Sequence, residues 1–252
     1  MKATPRPTAL VTGGGRGIGA ATSRELAARG YRVTVNYFSD RQSADQVVKD
    51  IKAQGGEAFA LQGDVRDPAQ AVELLRHTAA EGRLDVLVCN ASPSFVPTPI
   101  QALAWDDFEA KLTGELASAF TLTQQALAIM GAQGQGRIVY VSSAVAEGPS
   151  APGLAAHGTA KAALNTFARF VAHEAGPLGI NVNVVAPGYV RTEGSAGIPL
   201  EFQRRLAEKT ALGRVAEAED VGRAIAMLVG EEAGFVTGQI LTVDGGFGVA
   251  RM

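Results

Sequence analysis

The chain has 252 residues, 46% of them hydrophobic and 19% charged, with a formal net charge of −2. That length suits one large α/β core, and the balanced charge gives no single-signed field for nucleic acid or an anionic membrane. No apolar run approaches the ~18 residues of a membrane span; Met1 to Pro7 lack the apolar core of a signal peptide; and the lone cysteine, Cys89, excludes an internal disulfide and points to a reducing cytoplasm.

In chain order, apolar runs predict strands at 8–11, 31–37, 57–61, 84–89, 136–141, 180–185 and 239–243. The stretches between them predict helices at 17–29, 40–54, 68–81, 105–130, 154–175 and 217–230. Strands alternating with helices predict a doubly wound parallel α/β sheet of about seven strands with helices on both faces. Runs such as Leu84 to Cys89 and Arg137 to Val141 are nearly continuous in apolar residues, as strands covered on both faces are. With no repeat, linker or second composition regime, residues 1–252 read as a single domain. The segment 187–214 interrupts the alternation and reads as a substrate lid beyond the carboxyl ends of the strands.

The first turn carries the chemistry of nucleotide binding. Thr12-Gly13-Gly14-Gly15-Arg16-Gly17-Ile18-Gly19 lies between the apolar Ala9-Leu10-Val11 and a helical stretch, and a second strand follows Gly30. A strand, a glycine-rich turn and a helix put backbone N–H groups at the positive end of a helix, where a pyrophosphate can sit. Glycine permits the bend and leaves the approach open.

Further short motifs follow in order: Asp64-Val65, Asn90-Ala91, Ser142-Ser143, Lys161, Pro187-Gly188 with Val190 and Thr192, and Gly238 to Gly246. With the glycine turn, they make the chain resemble the single-domain short-chain dehydrogenases/reductases, in particular the β-ketoacyl carrier-protein reductases. The resemblance covers essentially the whole chain and implies a Rossmann-like fold and a nicotinamide cofactor. It places Gly13, Gly15, Arg16, Gly17, Ile18 and Gly19 at the phosphates, Asp64 and Val65 at the adenine, and Asn90 and Ala91 beside the ribose. Pro187, Gly188, Val190 and Thr192 would complete the cofactor site. In NAD-preferring relatives an acid ends the second strand; here Asn36-Tyr37 stand there, with no carboxylate to repel a 2′-phosphate. Arg16, with Ser39 and Arg41 nearby, offers charge for that phosphate, so NADP(H) is expected; Asp40 is the residue that could upset the choice.

The resemblance also implies a catalytic set of asparagine, serine, tyrosine and lysine, and here this chain departs from it. Ser143 matches the serine, with Ser142 as the alternative, and Lys161 matches the lysine. His157 stands where the tyrosine is expected, four residues before Lys161 and so on the same helix face. Glu115 falls at the asparagine position, and Ser92 follows Asn90-Ala91 where glycine is usual. A protonated histidine is a competent donor to an alkoxide, directly or through a water. A substrate hydroxyl beside the ketone could replace it, or His157 could only pack. Glu115 could hold Lys161 or pass protons, and Tyr189 borders the cleft in this family.

Three functions remain open on the sequence. The first is an NADPH-dependent ketoreductase acting on a carbonyl of an apolar, polyketide-type substrate lined by Pro93, Phe95, Val96, Pro97, Ile198, Pro199 and Phe202. The second is a dehydratase or isomerase using Glu115 and His157. The third is a catalytically silent NADP(H)-binding protein. By resemblance the chain is expected to self-associate as a homotetramer or homodimer through 105–130, 154–175 and 217–243. No metal, nucleic acid or membrane partner is expected.

Overall fold

Why these strands stack is visible in their alternation. The computed structural model describes residues 6–79, 82–148, 151–195 and 197–247. Seven strands, β1 (Thr8–Val11), β2 (Arg32–Tyr37), β3 (Glu57–Gln62), β4 (Val86–Cys89), β5 (Gly136–Val141), β6 (Ile180–Pro187) and β9 (Ile240–Val243), form one parallel sheet. Their order is β3-β2-β1-β4-β5-β6-β9. Successive side chains point to opposite faces. Ala9, Val11, Val86, Val88, Val139 and Val141 go to one face, against α1 (Gly17–Ala28), α2 (Arg41–Ala53) and α7 (Ala218–Leu228). Leu10, Leu87, Ile138 and Tyr140 go to the other, against α3 (Pro68–Thr78), α4 (Trp105–Gln133) and α5 (Ala155–Ala175).

Each predicted strand and helix is present, with ends shifted by a few residues. Residues 80 and 81 of the predicted third helix lie outside the described residues, as does residue 196 of the lid. The lid differs more. It holds β7 (Val190–Arg191) paired with β8 (Ala216–Glu217), and α6 (Leu200–Glu208). Only Gln203 of α6 is buried; its apolar residues Leu200 and Phe202 stay exposed. No helix among the described residues is long and apolar enough to cross a membrane.

The strand order reverses between β1 and β4, which lie side by side while their helices cover opposite faces. In open α/β sheets a crevice opens outside the carboxyl ends of strands at such a point.

Candidate active site

At that crevice lies a cleft of about 500 Å³, lined by Gly13, Gly15, Arg16, Tyr37, Asp64 and Asn90 among others. Its floor is held by backbone bonds from two side chains. Thr12 Oγ1 accepts from the Asn90 and Ala91 N–H groups (2.9 and 3.0 Å), and Asn90 Nδ2 donates to the Thr12 carbonyl (2.9 Å). Gly13 has φ +60°, and a Cβ on Gly19 would collide with the Gly13 carbonyl oxygen and with Asn90 Nδ2. These glycines therefore permit the tight approach of turn, helix and β4. Thr192 is packed against Gly17, and the Gly17 N–H donates to Glu193 Oε2 (3.1 Å). The lid thus starts directly over the first turn of α1.

Around the cleft the remaining cofactor candidates sort into two kinds. Asn36 is a brace: its Oδ1 accepts from the Gly13 N–H (3.2 Å) and its Nδ2 donates to the Gly63 carbonyl (3.0 Å), so its amide is committed to the glycine turn and the end of β3. Asp64 forms a bidentate pair with Arg66 (2.7 Å), which holds its carboxyl below the usual range, while Val65 is buried. Asp40 lines the cleft beside Arg16. It caps α2, accepting from the Ser43 N–H (3.0 Å) and hydroxyl (2.7 Å), and these bonds lower its pKa. Arg41 pairs with Asp45 on the surface. Arg16 lines the cleft with Tyr37, Phe38 and Ser39 and has no ion pair among the described residues. Ile18 packs on the core, and Pro187 pairs with Val243 at the end of β6, with Gly188 tight against Asp244. Val190 lies in β7, half-buried. The residues present fit a dinucleotide: a glycine cradle, an unpaired guanidinium and no carboxylate committed to the second ribose.

Beyond the cleft the catalytic candidates converge on α4 and α5. Lys161 is buried, and its ammonium donates to Glu115 Oε1 (2.6 Å) and the Val141 carbonyl (2.8 Å). Two of its three donors are used, and the third has no partner among the described residues. Burial lowers the Lys161 pKa, and Glu115 opposes that fall. Burial would raise the Glu115 pKa, but Lys161 and Lys111 outweigh it and hold the group as a carboxylate. Lys111 is a member that the sequence reading missed. Its ammonium donates to Glu115 Oε2 (2.9 Å), Ser92 Oγ (2.7 Å) and the Pro93 carbonyl (2.9 Å), and Ser92 donates to the same Glu115 oxygen (2.7 Å). A lysine in mid-helix reads as solvated surface. The available signal was its position one turn before Glu115 on the same face.

His157 is half-buried and lies parallel to Phe95, with ring centroids 4.6 Å apart and planes 6° from parallel. Its Nδ1 is buried without a hydrogen-bond partner among the described residues. Burial first, then Lys161 and Lys111, push its pKa down to about 4, against the pull of Glu115. Near neutral pH the ring rests as neutral imidazole. Of the two serines, Ser142 is buried and donates to the Lys161 carbonyl (3.3 Å). Ser143 is half-buried and makes only a long cap contact with the Val145 N–H (3.4 Å), which leaves its hydroxyl the freer one. Tyr189 Oη is buried without a partner among the described residues, and Tyr140 is sealed in the core against Thr123 (2.5 Å). Cys89 is free and buried, its thiol pushed up to about 12 by desolvation, which makes it inert. No group of three or more metal-ligating side chains occurs among the described residues.

A parallel sheet with this order, a glycine cradle at its switch point and a buried lysine beyond the cleft define an oxidoreductase of the nicotinamide-binding class. The chain belongs to the short-chain dehydrogenase/reductase family. A family model described as enoyl-(acyl carrier protein) reductase matches residues 13–248. The chain is 36% identical over 248 residues to a 3-oxoacyl-[acyl-carrier-protein] reductase of Synechocystis, covering 98% of each chain. It is 37% identical over 243 residues to a cis-4-hydroxycyclohexanecarboxylate dehydrogenase of Sinomonas cyclohexanicum, covering 95% of each. A solved short-chain dehydrogenase/reductase from Serratia marcescens, a doubly substituted mutant, superposes with a TM-score of 0.87 at 34% identity, covering 96% of this chain and 97% of that one.

Proposed function

We propose that the chain is an NADPH-dependent ketoreductase with an atypical catalytic set in which Ser143, neutral His157 and Lys161 surround the reacting carbonyl. The observation that carries the cofactor choice is the contrast between Arg16 and Asp40. The guanidinium lines the cleft unpaired, while the nearby carboxylate is spent capping α2. A 2′-phosphate meets a charged multidentate donor there, with the Asp40 carboxylate engaged by Ser43.

When bound, a dihydronicotinamide supplies the hydride. The spare N–H of Lys161 is suited to a ribose hydroxyl. The Ser143 hydroxyl donates to the carbonyl oxygen, and a neutral His157 N–H gives a second hydrogen bond. With His157 neutral, the proton that completes the reduction comes from a water or from a hydroxyl on the substrate beside the ketone. That favours a β-keto or phenolic ketone of polyketide type, and the two relatives, named for a 3-oxoacyl chain and a cyclic hydroxy acid, bracket that chemistry. Phe95, stacked on His157, offers an apolar wall. The dehydratase reading needs Glu115 as an acid–base group, and its pinning by two ammonium groups weighs against it. Self-association and a cytoplasmic setting accompany this proposal.

The test is a fluorescence titration with NADPH and NADH on wild type and Arg16→Ala. The expected result is a loss of NADPH affinity of about tenfold or more, the scale of one charge-assisted contact, with NADH little changed. Equal losses for both nucleotides would overturn the assignment of Arg16. A ketone screen with His157→Phe then checks the proton source: turnover survives best on ketones that carry a neighbouring hydroxyl.

A further inference from the structure

Lys111 is a charged group of the site that the sequence motifs do not include. It is 2% exposed, buried in α4 one turn from Glu115. All three of its donors are used, on Glu115, Ser92 and the Pro93 carbonyl, so it has none left for a ligand. Lys161, on the other oxygen of the same carboxylate, keeps one. The ammonium of Lys111 also lies 5.5 Å from the centre of the Phe95 ring, whose other partner is His157. Pro93 is seated on α4 at Gly114, where a Cβ would come within 2.9 Å of Pro93 Cγ.

Charge decides what this arrangement does. A buried carboxylate facing one ammonium would nearly cancel it. Two ammonium groups around one carboxylate leave a net positive charge beside His157. The groups facing this cluster are Lys111 and Glu115 from α4, His157 and Lys161 from α5, Cys89 from β4, the Val141 carbonyl from β5 and Ser92 from the following loop. Cys89 stays a thiol, so Glu115 is the only anion among them.

We infer that Lys111 is a positioning residue of this site: it braces Glu115 against Lys161, keeps the cluster positive, and ties residues 92–95 over His157. It offsets the cost of placing a carboxylate beside the catalytic lysine. Its removal leaves Lys161 electrically neutralised and the Phe95 wall untethered.

Wild type, Lys111→Gln, Lys111→Met and Glu115→Gln are compared in two ways. Glutamine keeps a hydrogen-bond donor without the charge, so it reports on charge where methionine unfolds the protein. NMR titration of ε-13C-labelled lysines and of the histidine rings needs no substrate. Losing Lys111 should raise the pH at which Lys161 and His157 titrate by about one pH unit, and losing Glu115 should lower both. The second arm rests on the reductase reading. NADPH-dependent turnover of a reduced ketone should fall about tenfold in Lys111→Gln, chiefly in kcat, with less loss when Glu115→Gln is added. Unmoved Lys161 and His157 titrations in a folded Lys111→Gln variant would overturn the inference. Moved titrations without any ketone turnover in wild type would leave it standing and overturn the reductase reading instead.

Discussion

His157 carries the clearest pH signature of any residue in the site. Its pKa falls from 6.5 in the unfolded chain to about 4 in the fold. Between those values the unfolded state binds the proton and the folded state does not, so stability is full above about pH 6.5 and is lost as pH falls towards about 4. At about 1.4 kcal/mol per pH unit the loss approaches about 3 kcal/mol. Urea unfolding across this range should show the slope in wild type and a flatter one in His157→Gln. His157, Glu115, Ser143 and Lys161 were legible as positions because their order in the chain is that of a known catalytic set. Their states were not. The neutrality of His157 and the pinning of Glu115 both depend on Lys111 and on burial, which only the packing of α4 against α5 creates.

The elements divide the same way. Strands and long helices were legible from apolar periodicity, since burial on both faces of the sheet imposes it. The lid helix α6 was not singled out: it is only nine residues long and lies in a segment rich in Gly, Pro and charge. Asp40 shows a residue whose role is set by an element, not by a ligand. Asp40→Ala should lower the melting temperature through the lost cap, with NADPH still preferred over NADH. The lid contributes an opposite effect. Glu193 places a carboxylate on the Gly17 N–H at the start of α1, where a diphosphate is expected to sit. Glu193→Gln should tighten NADPH binding severalfold by removing a competing anion; unchanged or weaker binding in the same titration would show that the contact has no bearing on entry.

For the whole molecule, two exposed aromatic side chains mark the face of α4 and α5. Phe120 is 51% and Phe170 65% exposed, beside the partly buried Phe167. The proposed homotetramer or homodimer covers this face. Light scattering on Phe120→Glu/Phe170→Glu should show a smaller species than wild type, and an unchanged mass would remove the face from the interface. The order of parts along the chain has another consequence. The residues lining the cleft beside the glycine turn fall between Gly13 and Ser118. Yet α1, whose first turn forms the cradle, leans on α7: a Cβ on Gly222 would come within 3.1 Å of the Ala21–Thr22 backbone. The residues of the cradle therefore all precede, in the chain, the helix at residues 218–228 that covers one side of α1.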